Sequence, residues 1–312
     1  MRILLAIDGS TGSVVARDLV ASLPWPADTE ITLLAAYDVA IDWTGGIGST
    51  MDWVGDVEDA TRDALDEQLL RLAEPLTERG WAVSRRIVRG RAASAIVETA
   101  RALRSDLVVT GSRGHGALRS MLLGSVAAEV MADAPCPVLV ARRPSVSRLI
   151  VATDGSPSAA AAADRLTGWG VFDGLPSEVV AVSIPNSPTF EVVTSLYTLG
   201  DDRLAAQREA LRASYEADAK AMAARLTAAG MPSNPRLRAG DPAREIIAAA
   251  EDRDADLIVT GTRGLGGIDR LLLGSVARNV VTHARCSVLV VREPVELRDA
   301  VGSAGGFDRA GE

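Results

Sequence analysis

The chain repeats itself at long range, and this limits what it can fold into more than any other feature. Ile7-Asp8-Gly9-Ser10 returns as Thr153-Asp154-Gly155-Ser156 at an offset of 146 residues. Asp106-Leu107-Val108-Val109-Thr110-Gly111 returns as Asp256-Leu257-Ile258-Val259-Thr260-Gly261, and Leu122-Leu123-Gly124-Ser125-Val126-Ala127 returns as Leu272-Leu273-Gly274-Ser275-Val276-Ala277, both at an offset of 150. The second copy therefore carries four extra residues between these segments. Such a period lies far above the roughly 20 to 50 residues of solenoid repeats, so each copy is expected to be a whole domain. The length of 312 residues agrees, since single domains usually run about 100 to 200. The expected domains are 1–143 and 148–293, joined across Arg142-Arg143-Pro144-Ser145-Val146-Ser147, where charge, proline and serine interrupt the apolar pattern. From Asp299 onward periodicity ceases, and 299–312 reads as a disordered tail.

Within each copy, short Val, Ile and Leu runs alternate with alanine-rich amphipathic stretches such as Asp56 to Arg79 and Leu204 to Ala229. The runs 3–7, 31–36, 107–109 and 138–140, and 149–152 opening the second copy, are almost continuously apolar, as strands covered by helices on both faces must be. The predicted fold class is α/β: two tandem doubly wound, Rossmann-like domains built on parallel sheets.

Composition narrows the function. A hydrophobic content of 47% with 24% charged residues suits a packed globular protein, and a net charge of −8 disfavours nucleic acid as the main partner. No apolar run approaches 20 residues, and Asp8 stops the opening one far short of a signal peptide's core, so a cytoplasmic protein without membrane partners is expected. The two cysteines, Cys136 and Cys286, suit a reducing compartment and read as buried structural thiols. The two histidines, His115 and His283, occupy non-equivalent positions and build no symmetric metal or acid–base device.

In an open parallel sheet, ligands gather at the carboxyl ends of the strands where the strand order reverses. After the fourth strand stands Gly111-Ser112-Arg113-Gly114, then nine residues, then Gly124-Ser125; the second copy has Gly261-Thr262-Arg263-Gly264, nine residues, then Gly274-Ser275. Glycine lets backbone N–H groups close on phosphate oxygens, and the helix that follows adds unpaired donors and a positive dipole end. Ser125 and Ser275 suit two competing roles, helix N-cap and hydroxyl donor to a terminal phosphate. Arg113 and Arg263 supply charge-assisted bonds. Asp8 and Asp154, closing the first strands, face the same crevice, where a carboxylate can accept from ribose hydroxyls or help hold a metal ion; the ribose role is favoured. The alternative is that these glycines are caps and turns alone.

With the strand-one aspartate and the Gly-x2-Gly-x9-Gly-Ser loop each present twice, the chain resembles the universal stress protein family, of the tandem, ATP-binding kind, over about residues 1–293. The stretch Asp133-Ala134-Pro135-Cys136-Pro137-Val138 resembles the family's entry into its last strand. The resemblance implies a five-stranded parallel sheet per domain and one ATP in each, with or without Mg2+. By position, the binding residues of the first copy are Ala6, Asp8, Ala36, Gly90, Gly111, Ser112, Arg113, Gly114, His115, Gly116, Ala117, Gly124, Ser125 and Val126. Those of the second are Ala152, Asp154, Val182, Gly240, Gly261, Thr262, Arg263, Gly264, Leu265, Gly266, Gly267, Gly274, Ser275 and Val276. Ala36 and Val182 would meet adenine through backbone atoms. The family also pairs through its last strands, so 138–141 and 288–291 are expected to join the halves, and a homodimer is expected. Two departures from the family's His-Ala-x-Cys-Pro-Val stand out: Asp133 replaces the His in the first copy and Ser287 the Pro in the second.

The stretch from Asp42 to Trp53 places Trp43 and Trp53 in a glycine-rich connection, read as packing against the domain, with a lid or protein-docking role as the alternative; Pro185 to Asp202, its counterpart, has no tryptophan. The favoured function is a nucleotide-regulated stress or dormancy factor whose ATP occupancy shifts its conformation or its protein partners. The competing readings are a slow ATPase or self-phosphorylating enzyme, against which stands the lack of a clear catalytic base or of a Gly-Lys-Ser/Thr loop, and a nucleotide-free interaction scaffold.

Overall fold

The computed structural model describes residues 1–38, 51–114, 123–183, 201–262 and 273–292. The expected tail, Trp43 and residues 184–200 lie outside the described residues. The first half runs β1 (Arg2–Ala6), α1 (Thr11–Ser22), β2 (Glu30–Tyr37), α2 (Met51–Thr77), β3 (Ala82–Arg89), α3 (Ala92–Ala102), β4 (Leu107–Gly111), α4 (Ser125–Asp133) and β5 (Val138–Ala141). The second half follows the same order: β6 (Leu149–Thr153), α5 (Pro157–Trp169), β7 (Ser177–Ser183), α6 (Asp201–Ala228), β8 (Ser233–Ala239), α7 (Pro242–Asp252), β9 (Leu257–Gly261), α8 (Ser275–His283) and β10 (Ser287–Val291).

The apolar runs become the inner strands, as expected, and the first helix of each half begins at a serine. Ser10 and Ser156 adopt extended backbone and accept at Oγ from the N–H of Ser13 (3.3 Å) and Ala159 (3.2 Å), satisfying donors that a helix start leaves open. Helices α2 and α6 begin earlier than their apolar periodicity indicates, at Met51 and Asp201. Trp53 therefore belongs to α2, not to the preceding connection, and Asp202 belongs to α6. Strands β3 and β8, which carry arginines at 85, 86, 89, 236 and 238, escape the apolar reading because they are the sheet edges. Edge strands tolerate exposed charge, which also discourages pairing with other chains.

Within each half the strand pairs are parallel, in the order 3-2-1-4-5 and its equivalent. Helices α1, α2, α5 and α6 cover one face through residues such as Leu19, Leu69, Leu166 and Leu226. Helices α3, α4, α7 and α8 cover the other through Ile96, Val130, Ile246 and Val280. The chain thus leaves β1 toward one face and leaves the neighbouring β4 toward the opposite one, which opens a crevice at their carboxyl ends.

The two halves share one ten-stranded sheet among the described residues, ordered β3-β2-β1-β4-β5-β10-β9-β6-β7-β8. The joint is the antiparallel pair β5–β10, with Val138 opposite Val290, Leu139 opposite Leu289 and Val140 opposite Val288. Leu139 and Leu289 are equivalent in the repeat, so the pairing has local twofold symmetry. Since the halves run antiparallel, their crevices open at opposite ends of the sheet, on the face covered by α3, α4, α7 and α8.

Reciprocal arginines close this seam. Arg142, just past β5, donates from Nη2 to Val281 O (2.5 Å) at the end of α8 and from Nη1 to Cys286 O (3.4 Å). Its equivalent, Arg292, donates to the carbonyls of Met131 (2.6 Å) and Ala132 at the end of α4. Helix C-termini present unpaired carbonyls and a partial negative charge, so a guanidinium there satisfies both. Ser287, the departure from the family's proline, accepts at Oγ from the N–H groups of Arg142 and Arg143, both at 3.1 Å. Trp25 and Trp169 add an edge-to-face contact across the seam at 6.1 Å between centroids. No helix among the described residues is long and apolar enough to cross a membrane.

Replacing both clamps, Arg142→Met with Arg292→Met, removes charge-assisted bonds of about 1.5–3 kcal/mol at each site. At about 2–4 °C of melting temperature per kcal/mol, we expect calorimetry to show the double variant melting about 10 °C lower, and an unchanged melting point would refute the clamp. Burial pushes the Cys136 thiol up to about 12 and Cys286 up to about 11. The thiolate is the reactive form, so both should resist iodoacetamide at pH 8 in the native chain and react promptly once unfolded, as counted by mass spectrometry.

Candidate functional site

The crevice of the first half is built by three loops pinned to one another. After β1 the chain turns through Asp8, whose Oδ1 accepts from Ser10 N–H at 3.0 Å, which fixes the carboxylate beside the strand end. Asp8 stands two residues beyond β1, whereas Asp154 directly follows β6 and takes the same bond from Ser156 N–H at 3.0 Å. Ser10 Oγ then donates to the carbonyl of Arg113 at 3.2 Å, tying the turn after β1 to the loop after β4.

Close backbone approach explains the glycines here. A Cβ on Gly111 would fall 2.5 Å from the carbonyl carbon of Gly12, at the start of α1. A Cβ on Gly114 would collide with Asp8 Oδ2. The loop is therefore drawn down onto the Asp8 carboxylate, and Gly124 N–H bonds Ser112 O at 2.7 Å to return the chain to α4. In the second half Thr262 and Gly274 repeat this last bond at 2.7 Å, and Gly261 packs against Ser158.

The N-cap of α4 is Gly124, with φ −77° and ψ 155°, and that of α8 is Gly274. The expectation that Ser125 and Ser275 serve as N-caps is thereby corrected, because each is the first residue inside its helix. The competition between their two roles disappears. Both side chains are exposed, and neither cap residue has a side chain to satisfy the first helical N–H groups, which are left to the crevice.

Ala6, Asp8, Ala36, Gly111, Ser112, Arg113, Gly114, Gly124, Ser125 and Val126 line a single cavity of about 390 Å3. Gly90 does not line it; it directly follows β3 with φ 137°, and its N–H donates to Tyr37 O at 2.8 Å. In the second half Ala152, Asp154, Val182, Gly261, Thr262, Gly274, Ser275 and Val276 occupy the equivalent strand ends and helix start, and Gly240 follows β8 as Gly90 follows β3. His115, Gly116, Ala117, Arg263, Gly264, Leu265, Gly266 and Gly267 lie outside the described residues. Among the described residues no group of three or more His, Cys, Asp or Glu could hold a metal ion.

The cavity also has walls that motif reading does not reveal. Leu34 sits beside Ala6 across the β1–β2 pair, and Ala92 and Ile96 of α3 face them. The alternation of β2 could have singled out Leu34, since it shares a face with Ala36. Nothing local marks Ala92 and Ile96, which arrive from a distant helix.

From β2 toward α4, the crevice passes from an apolar slot (Leu34, Ala36, Ala92, Ile96), over the Asp8 carboxylate, to glycine backbone and an open helix N-terminus beside Ser125. Such a gradient accommodates a ligand that is flat and apolar at one end, hydroxylated in the middle and anionic at the other.

The family model for the universal stress protein family matches residues 1–142 and again 146–292. A universal stress protein of Mycolicibacterium smegmatis is 27% identical over 309 residues, covering 93% of this chain and 96% of that protein. One from Mycobacterium tuberculosis is 31% identical over 205 residues, covering 61% of this chain and 62% of that protein. The chain thus spans less than two thirds of that relative's length. The crystal structure of a universal stress protein from Archaeoglobus fulgidus superposes with a TM-score of 0.65 at 20% identity, covering 93% of this chain and 98% of that one, a likeness of fold. Two family matches in succession, over a fold repeated twice, establish that this chain belongs to the universal stress protein family as a tandem of two such domains.

Proposed function

We propose that each half binds ATP in its switch-point crevice and that occupancy regulates the protein in a stress or dormancy response. The observation that carries this reading is the ordered crevice of the first half. Its apolar slot suits an adenine ring, with Ala36 offering backbone atoms at the base edge. Asp8, held by Ser10 N–H, suits the ribose. The glycine backbone at Gly114 and the unpaired first N–H groups of α4 beyond Gly124, with the positive end of that helix and the exposed hydroxyl of Ser125, suit the phosphates. Arg113, exposed at the rim, suits charge-assisted contact with the phosphate end. Where Mg2+ accompanies the nucleotide, Asp8, the one carboxylate of the described lining, would help hold it, and the ion would supply charge neutralisation to the phosphates. In the second half, Asp154, Val182, Gly274 and Ser275 would act in the corresponding roles.

A nucleotide can shift protein contacts only by binding one state of the protein more tightly than another. We expect native mass spectrometry of freshly purified protein to show up to two ATP or ADP molecules per chain; a chain that takes up none from excess Mg-ATP would end this reading. Gly114→Ala forces a methyl group against Asp8 and should weaken ATP about tenfold or more in the first half, read as one of two sites by calorimetry. Ser125→Ala removes one hydrogen bond to a charged group, of about 1.5–3 kcal/mol, and should weaken that same site by about ten- to a hundredfold without moving the melting point of the free protein.

A further inference from the structure

The helices that present their amino ends to the crevices are held at their other ends by the opposite half. Helix α4 opens with Ser125 and Val126 on the first cavity and closes against Arg292, whose guanidinium donates to Met131 O at 2.6 Å and to Ala132 O. Helix α8 opens with Ser275 at the second crevice and closes against Arg142, which donates to Val281 O at 2.5 Å and, just beyond the helix, to Cys286 O at 3.4 Å. The antiparallel seam produces this crossing, because the end of β5 lies beside the start of β10, where α8 has just finished.

Each of the two helices has nine residues, about 13 Å along its axis. Helices this short are marginal by themselves, so what grips them sets their placement. A rod of about two and a half turns carries its amino end along when its carboxyl end moves. The grip is electrostatically favourable, since the last carbonyls bear partial negative charge and the guanidinium is cationic. Burial, with a smaller contribution from nearby Arg113, lowers the Arg142 guanidinium to about 10, which leaves it charged at neutral pH. In α4 the other carbonyls of the last turn are also taken, Val130 O by Ala134 N–H at 2.9 Å and Asp133 O by Arg101 at 3.3 Å, so Arg292 completes the set.

We propose that each arginine is a positioning residue for the crevice of the opposite half: Arg142, gripping the carboxyl end of α8, sets that helix's amino end against the anionic end of a ligand in the second crevice, and Arg292 does the same for the first through α4. The inference rests on the nucleotide reading of the crevices. Proximity alone gives the reverse assignment. Arg142 follows Ala141, whose carbonyl accepts from Ser112 N–H at 3.1 Å, so it lies next to the loop of the first crevice. Arg292 follows Val291, whose carbonyl accepts from Thr262 N–H at 3.1 Å, beside the second. The two assignments predict opposite patterns of damage.

The test is calorimetric titration of full-length protein with Mg-ATP, well below its melting temperature. Two backgrounds isolate the crevices: Gly114→Ala, which disables the first, and Asp154→Ala, which removes the carboxylate of the second. We expect Arg142→Met to weaken ATP about tenfold at the second crevice and to leave the first within about twofold, and Arg292→Met to do the reverse. Arg142→Lys and Arg292→Lys keep the charge and lose the fork; they should give the same crossed pattern at about threefold, and they carry the test if a methionine variant does not fold. A purely structural clamp would lower the melting temperature and either spare both sites or weaken both alike, and that outcome, or damage confined to the arginine's own half, would overturn the assignment while leaving the nucleotide reading intact. Absence of ATP binding by the wild type would overturn both.

Discussion

Everything in this molecule depends on the pairing of β1 with β4. The two strands lie side by side and parallel, but the chain departs from them toward opposite faces of the sheet. Neither exit loop can cover the gap between them, so a crevice at this point follows from connectivity. What fills the walls is then a matter of side chains: alanine at 6 and 36 leaves room, glycine at 111 and 114 lets the second loop descend, and Asp8 closes the near side. The crevice is therefore inherited from the topology and specialised by a few small residues.

Duplication alters how such a domain ends. A single sheet of this kind would expose β5 as an edge, with unpaired N–H and C=O groups ready to pair with another chain. Here the second copy supplies β10, and the two outer edges that remain are the arginine-bearing β3 and β8. Because the seam is antiparallel, it also brings each half's last loop over the other half's helix end, which is where Arg142 and Arg292 find their carbonyls. The paired seam thus follows from the tandem arrangement, and the crevices it places at opposite ends of the sheet stay separate.

The halves are alike in backbone and unlike in detail. Ser287 in place of proline allows one hydroxyl to gather two backbone N–H groups from the linker, which has no counterpart at Pro137. Gly12 in the first half becomes Ser158 in the second, directly against the loop glycine at 261. Thr110 and Thr260, identical in sequence, differ in that Thr260 Oγ1 donates to the carbonyl of Gly261 while that of Thr110 is buried without a hydrogen-bond partner among the described residues.

The repeat, the strand–helix alternation and the spacing of the glycine and serine loop are all written in the order of residues, because each depends on periodicity or on chain neighbours. They were sufficient for the α/β class and for the family, and they placed Asp8, Gly111, Gly114 and Ser125 near one another through the strand-end rule. The β5–β10 joint followed from the family likeness, since nothing in 138–141 or 288–291 distinguishes an inner strand from one that meets a second copy. Tertiary structure alone decided the rest: that Gly124 and not Ser125 caps α4, that Trp53 is helical, that Ala92 and Ile96 complete the apolar wall, that Arg142 is a clamp and not a linker residue, and that Thr110 keeps an unsatisfied hydroxyl. The walls, the clamp and the unsatisfied hydroxyl depend on partners far away in the chain, and local pattern carries no record of which distant atoms will come within bonding distance.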